Sequence, residues 1–244
     1  MAISDKLTQI ANNVPLVYDA GYQKGKAEGG GDSWYDTFWD GYQDNGNRNN
    51  YRQAFMQSGW NDTTFKPKYN LVCNDCYQMF SNSRITDLEQ LLIENGVTID
   101  TSNSQYFTQL IQSSTITHLP KIDLSNAVNT SYAFAVGTIK VIRELVVSET
   151  TPFSNTFASM IEHMIVTGTI GQNGFFLSAP NLSRESIVSI VNALSSTTTN
   201  LSITLSLTAV NKAFETSAGA NDGSTSAEWI ALDNSKSNWT ISLV

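Results

Sequence analysis

Basic charge is scarce in this sequence. Its 244 residues include 14 Lys and Arg against 22 Asp and Glu, for a net charge of −8. Charged residues make up only 15% of the chain, whereas about 25% is typical of soluble domains. Proteins that bind nucleic acid carry clustered Lys and Arg opposite the phosphates, and the sequence has no such cluster. The composition therefore argues against a nucleic-acid partner.

Long apolar runs are also missing. No stretch reaches the roughly 18 apolar residues of a membrane-spanning helix. The first residues, MAISDKLTQIANNVPLV, lack the basic start and uninterrupted apolar core of a signal peptide. We therefore expect no membrane insertion, and synthesis in the cytoplasm of the producing cell without a signal peptide. The abundance of Asn, Ser, Thr and aromatic residues is nevertheless typical of proteins that end up outside cells.

Cysteine and histidine are too few for an obvious metal site. Cys73 and Cys76 form one CxxC motif, and the two histidines, His118 and His163, lie far apart in sequence. A structural zinc site needs about four ligands, and redox use of CxxC needs a thioredoxin-like context that is absent. We interpret the cysteines as small residues near the start of a repeat, and predict no metal and no cofactor.

Motifs that carry catalytic chemistry are absent as well. The sequence has no P-loop, HExxH, nucleophile elbow or Rossmann glycine pattern. The DNGNRNN segment (44–50) and Asp222 have too few acidic ligands for a calcium loop and are interpreted as turns. A glycosidase needs two facing carboxylates, and no such pair can be placed from sequence. We therefore predict that the protein is not an enzyme.

The sequence does contain a repeated phrase. TITHLPKIDLS (115–125) and TIKVIRELVVS (138–148) set apolar residues at the same offsets, 23 residues apart. Met160–Ile170 is a third, weaker copy whose spacing slips by one residue. RITDLEQLLIENGVTID (84–100) is a fourth copy with an insertion, and LEQLLIENG (88–96) within it predicts a short helix that ends at Gly96.

Each copy ends in the period-two alternation of a half-buried strand and follows an aromatic-rich turn. A unit of this size cannot bury its own apolar face, so the copies must stack. We therefore predict an α+β fold built on an irregular solenoid of short parallel strands, in which Leu124 and Val147 are buried neighbours. It is similar to the leucine-rich repeat, but with Ser and Thr in place of the asparagine ladder.

The last third of the chain changes character. Residues 181–196 predict a helix with Ser183 as N-cap, because apolar residues then recur on one face. Residues 201–207 alternate strictly and predict a strand. A polar loop (217–226) and a short helix follow, and WTISLV (239–244) predicts a final strand. We expect 181–244 to be an atypical unit that closes the solenoid.

The beginning of the chain carries an apolar stripe with heptad spacing, formed by Ile3, Leu7, Ile10, Val14 and Val17. A stripe of about two heptads is too short for a stable isolated helix. We expect residues 1–30, which include a glycine-rich joint, to attach or oligomerise the protein, with a trimer as the expected closed state. The alternative is an amphipathic helix that docks on its own chain.

Residues 31–66 are dense in aromatic side chains. Trp34, Phe38 and Tyr42 are four residues apart and share one face of a helix. Such a face can stack on a sugar or a nucleobase, which makes these three residues candidate ligand contacts. We favour the alternative that the block caps the apolar end of the first repeat, because an open solenoid end must be covered.

Taken with the repeats, both ends of the chain resemble one family. The segments WYDTFWDGYQDNGNRNNYRQAFMQSGW and LSRESIVSIVNALSS followed by LSITLSL are similar to BspA-like leucine-rich-repeat proteins encoded by phages and prophages of gut Firmicutes. The resemblance implies a helical attachment segment (1–30), an aromatic cap (31–66), the repeat solenoid (67–180) and a capping unit (181–244).

The resemblance also implies a role. It points to a non-enzymatic virion protein in a tail fibre, baseplate or head fibre, located in the phage particle. Its expected partners are its own copies, other virion proteins, and a host surface glycan or protein. The alternatives are a bacterial cell-surface adhesin, which should carry a signal peptide or wall anchor, and a carbohydrate-active enzyme.

Overall fold

The structure is a computed structural model that describes residues 51–56, 59–135 and 138–244, all within one compact unit, Arg48–Val244. Eight strands and four helices lie in the described residues. The strands are β1 Leu71–Val72, β2 Ile99–Asp100, β3 His118–Asp123, β4 Val141–Val147, β5 His163–Gly168, β6 Phe175–Leu177, β7 Leu201–Leu205 and β8 Trp239–Leu243. The helices are α1 Leu88–Glu94, α2 Arg184–Ala193, α3 Leu207–Ala213 and α4 Ala227–Asn234.

All strand pairs in the described residues are parallel. They form a two-stranded sheet β1–β2 and two three-stranded sheets, β3–β4–β5 and β6–β7–β8. The fold therefore mixes helices with parallel strands, as predicted. None of the helices in the described ranges is long and apolar enough to cross a lipid bilayer.

The two matching phrases pair side by side. Ile122 lies opposite Leu145, and the Leu124 amide donates a 2.8 Å hydrogen bond to the Val146 carbonyl. Leu124 and Val147 are 0% and 3% exposed. The prediction that they are buried neighbours is confirmed: each apolar position of one phrase lies beside the same position of the next, and both face the core.

The slip in the third copy is a bulge in the sheet. Between β4 and β5 the register shifts after Ile142, which lies opposite Met164, whereas Leu145 lies opposite Val166. The one-residue difference in spacing predicted from sequence therefore corresponds to one extra residue on β4, which the ladder absorbs without turning either buried side chain outward.

The insertion in the first copy is helix α1. The Asp87 side chain caps it by accepting a 2.8 Å bond from the Gln90 amide, and Gly96 follows the end with φ of +64°. A glycine after the last turn takes this left-handed conformation at no steric cost. After the helix the chain resumes the phrase at β2, where the Thr101 hydroxyl donates to the Asp123 carbonyl (3.1 Å).

Hydroxyl groups join successive turns in place of an asparagine ladder. Several of them donate to a backbone carbonyl one repeat earlier in the chain. Examples are Thr115 to Ile85 (2.9 Å), Thr117 to Thr86 (2.8 Å), Thr138 to Ile116 (3.1 Å), Ser148 to Ser125 (2.6 Å) and Thr151 to Leu124 (3.0 Å). The first residue of the repeated phrase is Thr in both copies, and its hydroxyl makes the equivalent bond in each.

The turns before the phrases form a second ladder that the sequence did not predict. Gln53, Gln78, Gln109, Tyr132 and Asn155 hold equivalent places, with φ between +50° and +57°. The Gln53 side-chain amide donates to Gln78 and that of Gln78 donates to Gln109, both at 2.7 Å. Left-handed backbone at residues other than glycine costs free energy, and the stacked amides offset part of it.

The described part of the aromatic block is core. Tyr51, Phe55 and Trp60 are all 0% exposed. Phe55 stacks on Phe80 of the next turn at 5.2 Å and meets Trp60 edge-on at 5.4 Å. These rings pack against the first repeat through Phe80.

The outer edge of β5 is covered by a helix instead of a strand. Helix α2 turns a row of serines, three residues apart, toward that edge. The Met164 amide donates to the Ser186 hydroxyl (2.8 Å) and the Val166 amide donates to the Ser189 hydroxyl (3.1 Å). The serine hydroxyls therefore accept the bonds that the carbonyls of a fourth strand would otherwise accept, which ends the β3–β4–β5 sheet.

One element of the C-terminal part differs from the prediction. The alternation through Leu207 predicted a strand over 201–207, but β7 ends at Leu205 and Leu207 begins α3. The Ser206 hydroxyl accepts a 3.3 Å bond from the Ala209 amide and caps the new helix. The helix capped by Ser183, the short helix after the polar loop and the final strand are as predicted.

Candidate binding surface

The outward face of β3–β4–β5 is a regular surface of mostly polar side chains. Buried side chains are interspersed along the strands with half-buried or exposed ones, and the latter stand in columns across the sheet. One column runs from His118 through Val141 to His163. The next contains Lys121 and Glu144, and a third contains Asp123, Val146 and Thr167.

Glu144 joins all three strands of this face. Its carboxylate lies 3.4 Å from the Lys121 ammonium on β3 and accepts a 2.9 Å hydrogen bond from the Thr167 hydroxyl on β5. About half of the Lys121 side chain remains exposed. An exposed ion pair adds little to stability, but here it holds a cation and an anion at a fixed place on a rigid sheet.

Further pairs of opposite charge surround this centre. Lys140 lies 3.1 Å from Glu162, and Arg143 lies 2.9 Å from Glu89 of helix α1. The face therefore presents donors and acceptors of both signs but no strong field of one sign. Such a surface suits a partner with many neutral polar groups better than a highly charged one.

A shallow recess of about 240 Å³ opens beside Lys121. It is lined by Ile99, Asp100, Thr101, Lys121 and Asp123. Hydrogen bonds from the Ser102 backbone and side chain, with a smaller contribution from Lys121, lower the pKa of Asp100 below its ordinary value. Asp100 is therefore ionised near neutral pH and can accept hydrogen bonds from a ligand but cannot donate a proton, as a general acid must.

The two histidines, which the sequence separates, lie in one column of the sheet. The His118 ring lies 3.6 Å from the carboxylate of Asp87, the N-cap of α1. The His163 ring lies 3.2 Å from the hydroxyl of Ser183, the N-cap of α2. Val141 stands between them, and each ring lies at the beginning of its neighbouring helix.

The cysteines lie in the core. Cys73 and Cys76 are both 0% exposed and both are free thiols. Cys73 follows β1 as Leu124 follows β3, so it fills the same buried position of the repeat. Burial, followed by its interaction with Cys76, raises the pKa of the Cys73 thiol well above its ordinary value. This is the opposite of what a reactive or metal-binding thiol requires.

The predicted site residues at the start of the chain lie outside the described residues. These are the stripe residues Ile3, Leu7, Ile10, Val14 and Val17, and the aromatic residues Trp34, Phe38 and Tyr42. The calcium candidate Asp222 is described: its carboxylate accepts 2.9 Å and 2.5 Å bonds from the amide and hydroxyl of Thr216, as in a turn. In the described part of the chain, no group of three or more His, Cys, Asp or Glu side chains is arranged to hold a metal ion.

Sequence reasoning did not select Lys121, Glu144 or Thr167. One signal for the first two was present, since Lys121 and Glu144 hold the same position in the two matching phrases. Equal positions in adjacent repeats lie side by side, and opposite charges there form a pair across the strands. Thr167 gave no such signal because the bulge shifts its register.

Comparisons with protein-family models, with curated proteins and with solved structures give no match for this chain.

Proposed function

We propose that this chain is a non-enzymatic structural protein of a tailed-phage virion, in a tail fibre, baseplate or head fibre. Its body is a leucine-rich-repeat-like solenoid, residues 1–30 attach it or oligomerise it, and the outward face of β3–β4–β5 binds the host surface. The assignment to a virion rests on the resemblance of the two ends of the chain to phage-encoded BspA-like proteins.

The repeated register is the observation that carries the solenoid and its binding role. Matching residues of successive phrases lie opposite one another, from Leu119 and Ile142 to Ile122 and Leu145. Hydroxyl bonds between turns repeat at the same spacing. A stack of this kind holds its outward side chains in fixed rows, which is how repeat proteins build extended binding surfaces.

The chemistry of the face supports a host glycan or a neutral protein surface as the partner. Lys121 and Glu144 offer a donor and an acceptor a few ångströms apart, and Asp100 and Asp123 add acceptors around the recess. A carbohydrate presents hydroxyl groups that donate and accept at similar spacings. The net charge of −8 disfavours strongly acidic polymers.

The virion assignment is tested with particles. Phages released from the producing bacterium are purified on a density gradient, and the chain is sought by peptide mass spectrometry and by immunogold labelling. We expect the protein in the particle fraction, with gold on a tail or head structure. Recovery in the cell-envelope fraction instead would support the adhesin alternative, and recovery only in the cytosol would contradict both.

The binding face is tested separately with the full-length protein. Fluorescently labelled protein is titrated onto cells of the host bacterium, and a Lys121→Glu variant is compared with Lys212→Glu. Both positions are exposed and both substitutions change the charge equally, but Lys212 lies on helix α3, away from the face. We expect at least a tenfold loss of binding for Lys121→Glu only. Equal binding by both variants would exclude this face.

A further inference from the structure

The last strand, β8, differs from the outer edge of β5. Helix α2 covers β5, but in the described residues no strand pairs with the edge of β8 that faces away from β7. Natural edge strands avoid pairing with other chains by means of charged residues, prolines or bulges. The segment WTISLV (239–244) has no charged residue and no proline, and its pairing with β7 is regular over five residues.

The side chains on the inner face of β8 are not all fully buried. Ile203 and Leu205 of β7 are each 1% exposed, whereas Ile241 and Leu243, their register partners on β8, are only half-buried. Trp239, the third inward residue of β8, is 6% exposed. Ile241 and Leu243 therefore lack the cover that a further strand would supply, and uncovered apolar surface costs free energy in water.

The sequence of β7, with which β8 pairs, indicates what kind of strand can pair with the other edge of β8. β7 reads Leu-Ser-Ile-Thr-Leu and β8 reads Trp-Thr-Ile-Ser-Leu, with Ile203 opposite Ile241 and Ser or Thr on either side. β8 therefore pairs with a strand of its own pattern. A second copy of the chain supplies that pattern in its own β8, and the neutral segment meets its copy without the repulsion expected between chains of net charge −8.

We propose that β8 is a self-pairing edge, at which two copies join their β6–β7–β8 sheets into one six-stranded sheet. The two β8 strands run antiparallel about a twofold axis at Ile241, which places Thr240 opposite Ser242 of the second copy and Trp239 opposite Leu243. This register keeps Ile241 and Leu243 on the inner face and the two hydroxyl residues on the outer face.

The proposed β8 interface does not depend on the virion assignment or on the apolar stripe in residues 1–30. To separate the two interfaces, the test uses the full-length chain with Leu7→Asp and Ile10→Asp, which removes the apolar stripe. In this background we expect light scattering after size-exclusion chromatography to give twice the mass of one chain. A monomer at every concentration measured would overturn the proposal.

Two charge variants in the same background test the register. Thr240→Lys with Ser242→Lys places like charges opposite each other twice across the axis, and we expect a monomer. Thr240→Lys with Ser242→Glu places opposite charges at the same two points, and we expect the dimer to persist. Both positions are exposed, so unchanged circular dichroism verifies folding. Identical masses for the two variants would overturn the antiparallel register.

Discussion

The Ser186 hydroxyl lies 2.8 Å from the Met164 amide, and a helix thereby satisfies a donor at the edge of a sheet. Ser186 is completely buried, so no water can take its place. The contact explains how the parallel sheet β3–β4–β5 can end at β5, although β5 carries an apolar pattern similar to that of β3 and β4.

Replacing Ser186 with alanine should lower the free energy of unfolding by about 1–3 kcal/mol, because the buried Met164 amide loses its acceptor. Chemical denaturation measures the change. Ser202→Ala, at an exposed position of β7, serves as the control and should change stability by less than about 0.5 kcal/mol. Equal effects for the two variants would mean that the serine row of α2 does not close the edge of the sheet.

Leu124→Ala should lower the free energy of unfolding by about 2–5 kcal/mol, as is usual when a fully buried leucine is truncated. Leu124 is 0% exposed, whereas Leu207 is 39% exposed. Leu207→Ala should therefore cost clearly less in the same denaturant titration. A change near zero for Leu124→Ala would contradict the burial of the repeated phrase.

The hydroxyl bonds between turns should differ in strength according to burial. Thr151 is 0% exposed; its hydroxyl donates to the Leu124 carbonyl and accepts a 2.9 Å bond from the Ser148 amide, whereas the half-buried Thr117 donates to the carbonyl of the exposed Thr86. Thr151→Val removes both bonds of a buried hydroxyl and should cost about 1–3 kcal/mol. Thr117→Val should cost less, because water can reach Thr86. The opposite order in denaturation experiments would refute this account of the ladder.

Stability should fall at alkaline pH through Cys73. Burial raises the pKa of this thiol in the folded state above its value in the unfolded chain, which is about 8.5. The folded state therefore favours the protonated form. Its contribution is complete below about pH 8.5 and is lost as the pH rises above that value. Denaturation at pH 7.5 and pH 9.5 measures the loss, which should be smaller in Cys73→Ala.

Removing metal ions should leave the melting temperature unchanged. The CxxC motif stands alone in the sequence, and both thiols are enclosed by the apolar core. Thermal unfolding with and without EDTA, followed by circular dichroism, measures the effect. A structural metal contributes directly to folding free energy, so a large decrease with EDTA would show that the cysteines or the Asp-containing loops had been misinterpreted.

Residue identity and spacing alone were enough to predict the units of this fold. Apolar residues 23 positions apart indicated that Ile122 and Leu145 would occupy equivalent places, and Gly96 and Ser183 marked a helix end and a helix start. These features depend on periodicity and on local hydrogen bonds between residues near in sequence. The strand predicted over 201–207 was wrong at its end, where two local signals compete. The alternating pattern continues through Leu207, but the N-cap at Ser206 starts a helix there.

The candidate surface depended on the tertiary structure. Glu144 between Lys121 and Thr167, the glutamine ladder and the serine row against β5 all join residues from different repeats. Their side chains meet only after the turns have stacked, and a bulge of one residue decides which ones meet. The sequence by itself determined what each repeat buries; the stacking register decided what the assembled repeats expose, because register is set by packing across the whole sheet.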